Sequence, residues 1–132
     1  MVDTATPSKA KVLVVDDSSL VRLYYRSALE TAGFEVKQAI NGIEAMEKVL
    51  SESFDLVIVD VNMPRMDGFT FLRSLRSATV DVATLPALMI STEAGKQDLA
   101  EARLAGANFY LVKPVAEGEL VRHVCVLTGA AL

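Results

Sequence analysis

Residues Phe54–Gly68 read FDLVIVDVNMPRMDG. The stretch opens as an unbroken apolar run, Leu56-Val57-Ile58-Val59, and stops at a carboxylate, Asp60. Such a run suits a strand buried on both faces, as in a parallel sheet covered by helices on each side. Asp60 then falls at the carboxyl end of the strand, where open α/β sheets place their ligand chemistry. A carboxylate at a buried strand end is costly unless other groups arrive to pair with it. Asp67-Gly68, further on, is a turn signal.

Working outward, Lys11–Asp16 (KVLVVD) is a second apolar run, ending in Asp16 and Asp17. Ser18 and Ser19 can cap a following helix, whose inward face is predicted as Val21, Tyr24, Tyr25, Ala28, Leu29 and Ala32. Gly33 closes that helix. Phe34–Ala39 reads as a strand. Asn41-Gly42 opens a second helix to about Ser51, with Ala45, Met46, Val49 and Leu50 inward. Phe69–Leu75 carries a third helix. Leu85–Ser91 (LPALMIS) is a fourth strand, with Pro86 tolerable near its start. Gly95–Ala105 is helical, Ala107–Val112 (ANFYLV) is a fifth strand running into Lys113-Pro114, and Glu117–Leu127 is a last helix. The alternation predicts an α/β fold, a doubly wound five-stranded parallel sheet with five helices in three layers. Strand orders 2-1-3-4-5 and 3-2-1-4-5 both fit. Residues 1–10 read as a flexible tail, 11–128 as one domain and 129–132 as a short C-terminal tail.

The bulk composition narrows the function. A chain of 132 residues with 52% hydrophobic content is one folded domain. A net charge of −4 argues against nonspecific nucleic-acid binding. The lone cysteine, Cys125, cannot form an internal disulfide and reads as a small apolar filler. There is no basic-then-apolar leader, and no apolar run near the roughly 20 residues that span a bilayer. A cytoplasmic protein without membrane insertion is expected.

In a parallel sheet the ends of these strands share one edge. Asp16, Asp17, Asp60, Ser91, Thr92, Glu93 and Lys113 therefore converge. Three carboxylates together cannot all stay ionised without a cation. Hard oxygen ligands suit Mg²⁺, with Mn²⁺ as a second ion of the same chemistry. Lys113 supplies a positive charge and Ser91 a hydroxyl. A carboxylate beside such a metal, an ammonium and a hydroxyl is a phosphoryl-accepting site, with Asp60 as nucleophile. Plainer roles compete for single residues. Asp16 and Asp17 complement a helix dipole, Thr92 or Glu93 caps the next helix, and Tyr110 is ordinary core. His123 reads as a surface residue.

VVDDSS, VIVDVNMPRMDG, LMISTEA and YLVKP, in this order and spacing, resemble the receiver domain of bacterial two-component response regulators, most of all single-domain chemotaxis-type regulators. The resemblance covers about Lys11 to Leu127. It implies a flavodoxin-like fold with strand order 2-1-3-4-5. It implies Asp60 as the phosphorylation site. Asp17 and Asp60 would hold Mg²⁺ through side chains, Asp16 mainly through water, and Asn62 through its backbone carbonyl. Lys113 would pair with the phosphoryl group, and Ser91 would be the switch hydroxyl. Thr92 stands where a smaller residue is common and would narrow access. Tyr110 would be the aromatic that turns inward with Ser91. Asn62 and Glu93 would tune dephosphorylation, and the Lys113–Pro114 peptide would be cis.

The resemblance also implies a histidine kinase as phosphodonor. A protein target would bind the face formed by the fourth helix, fifth strand and last helix, including Lys96, Leu99, Arg103, Tyr110 and Arg122. The last helix looks apolar on more than one side through Leu120, Val121, Val124, Val126 and Leu127, so its outer face is expected to dock a partner or a second copy. A monomer or weak dimer is expected. Three alternatives compete. The chain could be a receiver module cut from a longer hybrid kinase or regulator. An aspartyl-phosphate phosphatase is a second, disfavoured because Asn62 stands where such enzymes carry a second acid. A flavin or nucleotide module is a third, disfavoured because Asp16-Asp17 would repel a phosphate.

Overall fold

The structure, a computed structural model, describes residues 9–130. Residues 1–8 and 131–132 of the expected tails lie outside the described residues. The apolar runs become five parallel strands: β1 (Lys11–Val15), β2 (Glu35–Ala39), β3 (Leu56–Asp60), β4 (Ala87–Ser91) and β5 (Phe109–Val112). Their order is β2-β1-β3-β4-β5, which decides between the two orders open from the pattern alone. Between them run α1 (Ser19–Thr31), α2 (Gly42–Ser51), α3 (Gly68–Arg76), α4 (Val80–Ala83), α5 (Lys96–Ala105) and α6 (Glu117–Thr128). The four-residue α4 makes six helices where five were expected.

Alternate strand residues feed two cores, as the pleat requires. Val12, Val14, Ile58, Leu88 and Ile90 pack under α1 and α6, against Tyr25, Leu29, Leu120 and Val124. Leu13, Val15, Val57, Val59 and Met89 pack under α2, α3 and α5, against Val49, Phe71, Leu72 and Ala102. Each fully buried aliphatic side chain contributes about 1.5–3 kcal/mol relative to exposure. β3 and β4 are buried along their whole length, as central strands covered on both faces must be.

Several expected inward positions turn out otherwise. Leu50 is 62% exposed. Ala32 is exposed and Tyr24 mostly so. α6 is therefore one-sided: Leu120, Val124 and Cys125 are buried, Val121 and Leu127 lean on the same core, and only Val126 of the apolar set points out. Apolar identity alone did not set the phase of these helices, because the helix rotation follows its most deeply seated residues. His123 is half-buried, its ring centroid 4.6 Å from that of Phe109.

Near β4 and β5 the amino edge of the sheet is tied by Arg76. Arg76, at the end of α3, donates from Nη1 to the carbonyls of Ala83 (2.8 Å) and Leu85 (2.6 Å). It also donates to the Gly106 carbonyl from Nε (3.0 Å) and Nη2 (2.6 Å), and to Asn108 Oδ1 (3.0 Å). Asn108 Oδ1 in turn accepts the Ala87 N–H at 2.8 Å. α4 owes its use to this knot, since its turn brings the Ala83 and Leu85 carbonyls to the guanidinium.

Candidate functional site

The site is built where β1, β3, β4 and β5 end. Asp16 follows β1; its N–H donates to the Ala39 carbonyl at 3.1 Å, and its Oδ1 accepts the Ser18 N–H at 2.9 Å. Ser18 then caps α1 by accepting the Val21 N–H at 3.3 Å. Asp60 closes β3. The next helix is pressed against its backbone, for a Cβ at Gly68 would lie 2.4 Å from the Asp60 carbonyl oxygen. No larger residue fits without moving the main chain that carries the carboxylate. Asp67 caps α3 by accepting the Thr70 N–H at 2.8 Å.

Lys113 joins the acids. Its Nζ lies 3.0 Å from Asp60 Oδ1 and 3.3 Å from Asp16 Oδ2. Asp16 and Asp60 are 2% and 6% exposed, while Asp17 is exposed. One carboxylate oxygen from each of Asp16, Asp17 and Asp60 lies within 4.8 Å of the others. Burial pushes the Asp60 carboxyl above its ordinary range; the Lys113 hydrogen bond opposes this and the Asp16 charge adds to it. Burial alone would lower Lys113, but its bonds and charges with Asp60 and Asp16 hold it above the ordinary lysine value. An excess of buried negative charge with only oxygen donors is the donor chemistry of a hard divalent cation.

Ser91 is fully buried, and its Oγ accepts the Glu93 N–H at 3.0 Å. The Tyr110 hydroxyl donates to the Glu93 carbonyl at 2.7 Å, with the ring half-buried. Burial raises the Tyr110 phenol. Thr92 and Glu93 are exposed, with Thr92 Oγ1 3.4 Å from Glu93 Oε2. Neither caps the next helix, which begins after Gly95 with the Asp98 carboxylate accepting the Gly95 N–H at 3.2 Å. Asn62 is exposed just past Asp60. The Lys113–Pro114 peptide is cis.

Three side chains at the site were not singled out from the sequence for it. Arg22 Nη1 donates to the Asp16 carbonyl at 2.7 Å and its Nε to Gln38 Oε1 at 3.0 Å. Tyr25, buried in α1, senses the charges of Lys113, Asp16 and Asp60, and burial pushes its phenol up to about 12. Tyr24 donates its hydroxyl to the Val115 carbonyl at 3.0 Å. The only sequence signal for them was their place on the first helix, directly after Asp16-Asp17.

Residues 12–125 match the response regulator receiver domain family, and the chain belongs to that family. It is 38% identical over 120 residues to the transcriptional regulatory protein PrrA of Mycobacterium leprae, covering 91% of this chain and 50% of that protein. It is 39% identical over 105 residues to a gliding motility regulatory protein of Myxococcus xanthus, covering 80% of this chain and 13% of that protein. The chain thus spans half or less of the length of these relatives. Among solved structures, the chemotaxis response regulator CheY4 of Vibrio cholerae is 38% identical with a TM-score of 0.86, covering 91% of this chain and 99% of that one. Receiver domains are phosphoacceptor switches of two-component signalling. No helix among the described residues is long and apolar enough to cross a membrane.

Proposed function

We propose that residues 11–128 form a cytoplasmic receiver switch in which Asp60 accepts a phosphoryl group from a histidine kinase. The observation that carries this reading is the convergence of Asp16, Asp17 and Asp60 on one point, with Lys113 bridging Asp60 and Asp16. Asp60 attacks the phosphorus in line, and the donor's imidazole leaves. Asp16, Asp17, Asp60 and the Asn62 carbonyl would hold Mg²⁺ or Mn²⁺, which when bound neutralises the acids and the transferring oxygens. Lys113 shifts onto the phosphoryl oxygens, and Ser91 donates its hydroxyl to them. Thr92 narrows the approach, and Asn62 and Glu93 set how readily water reaches the acyl phosphate. The chain is an acceptor and not a turnover enzyme.

Ser91 and Tyr110 both bond to Glu93, so a shift of the Ser91 hydroxyl is felt at Tyr110. This supports an output through α5, β5 and α6, where Lys96, Leu99, Arg103 and Arg122 are exposed. A protein target binds that face, with the chain a monomer or weak dimer. Intact mass after incubation with Mg²⁺ and acetyl phosphate tests the core claim. The wild type is expected to gain one phosphoryl group, and Asp60→Asn none. Equal labelling of both proteins would remove Asp60 from the role.

A further inference from the structure

We propose that Tyr24 is a positioning residue for Lys113, holding the loop that carries the lysine by a hydrogen bond from its phenol to the Val115 carbonyl. The proposal rests on the reading of Asp60 as phosphoacceptor. The loop Lys113–Ala116 joins β5 to α6. Its near end is fixed, because the Lys113 N–H donates to the Ser91 carbonyl at 2.8 Å. Beyond that the Val115 side chain is buried in the core under α1 and α6. Pro114 has no N–H to give. Ala116, the N-cap of α6, makes no side-chain cap hydrogen bond, and its carbonyl accepts the Leu120 N–H at 3.0 Å, which fixes the far end of the loop. Between these two ends, the Val115 carbonyl accepts the Tyr24 hydroxyl, 91 residues away in sequence, at 3.0 Å, a tie that links the loop to α1.

The donor is itself held. Tyr24 is 42% exposed, but its ring leans on Tyr25, with centroids 5.7 Å apart and planes tilted by 52°. Tyr25 is 4% exposed and locked in the core between α1 and the sheet. Tyr24, Tyr25, Lys113 and Pro114 line one cleft of about 520 Å³ beside the acids. The Tyr24 position therefore fails the inward helical pattern for a reason: its side chain is turned toward the neighbouring loop.

The consequence concerns geometry at Nζ. Lysine is a point charge on a flexible stem, and its contacts to Asp60 and Asp16 depend on where the loop sets its Cα. α1 starts directly after Asp16-Asp17, so the Tyr24 bond spans the acidic side of the site and the lysine side. Orientation of this kind acts on the step in which Lys113 meets phosphoryl oxygens. It does not act on the carboxylates that would hold the cation.

The test compares wild type with Tyr24→Phe, which keeps the ring and removes one oxygen. Titration calorimetry measures Mg²⁺ binding, then binding of beryllofluoride, a phosphoryl mimic, at saturating Mg²⁺. Mg²⁺ affinity is expected to stay unchanged. Beryllofluoride affinity and the rate of labelling by acetyl phosphate are expected to fall by about threefold to tenfold, the size of one hydrogen bond. In a Lys113→Ala background, Tyr24→Phe is expected to have no further effect on either quantity. Unchanged beryllofluoride affinity, or an equal fall in Mg²⁺ affinity, would overturn the proposal, the second marking a merely structural role. A wild type that takes up neither phosphoryl group nor mimic would overturn the phosphoacceptor reading, and this inference with it.

Discussion

The two edges of the sheet handle charge in opposite ways. At the carboxyl edge, Asp16, Asp17 and Asp60 cluster, Lys113 pairs with Asp16 and Asp60 alone, and negative charge is left over. At the amino edge, Arg76 donates to four acceptors, none of them charged. A polar network with every member paired rigidifies the fold, whereas a like-charge cluster stores unfavourable energy until a ligand relieves it. Stability belongs to one edge and responsiveness to the other. The central strands run between the two, so the responsive edge stands on a stiff base.

The largest expected effect lies at the satisfied edge. Arg76→Ala takes the guanidinium donor from the carbonyls of Ala83, Leu85 and Gly106, leaves Asn108 Oδ1 with the Ala87 N–H, and is expected to lower stability by about 3 kcal/mol in urea unfolding. Mg²⁺ affinity should stay near the wild-type value. A loss of Mg²⁺ binding larger than the loss of stability would break the division of labour between the edges.

The next effect is smaller and of opposite sign. Asp60→Asn removes one of three clustered charges and is expected to raise stability without divalent metal by roughly 1 kcal/mol. Its pH dependence follows from the raised Asp60 carboxyl. The folded state holds that proton more tightly than the unfolded chain. This contribution to metal-free stability is therefore complete below the ordinary value of 3.8 and is lost as pH rises through the folded value. The advantage of Asp60→Asn should accordingly shrink on acidification in parallel urea series. An advantage that grew instead would mean that the Lys113 pair outweighs burial.

The smallest effect is a control on the same helix. Arg73, one turn before Arg76, reaches Glu101 at 3.5 Å with both side chains about half exposed. Screened pairs of this kind contribute little, and Arg73→Ala is expected to change stability by less than about 0.5 kcal/mol. A cost comparable to that of Arg76→Ala would show that charge on α3, and not the Arg76 hydrogen bonds, holds the amino edge.

The carboxyl edge was far more legible in the sequence than the amino edge. Asp16, Asp60 and Lys113 each follow an apolar run, and a charge that closes a buried strand demands a partner. Arg76 gives no such sign, since an arginine in the last turn of a helix is ordinary surface chemistry. Its acceptors are main-chain carbonyls at Ala83, Leu85 and Gly106, and any residue type supplies those. α4 escaped for a related reason: four residues are too few to display a period. Leu50 misled because apolar residues remain common on protein surfaces.

By itself the sequence determined the alternation of strand and helix, the number of strands, and the edge at which the acids and the lysine meet. These follow from local pattern, since burial on two faces demands continuous apolar runs and parallel strands share one direction. The strand order, open from the residue pattern alone, was implied by the family resemblance and is the one observed; only the tertiary structure decided the phase of the helices, the Arg76 knot and the bond from Tyr24 to Val115. Those depend on side chains meeting backbone groups distant in the chain, and a backbone carbonyl carries no signature in the residue that bears it.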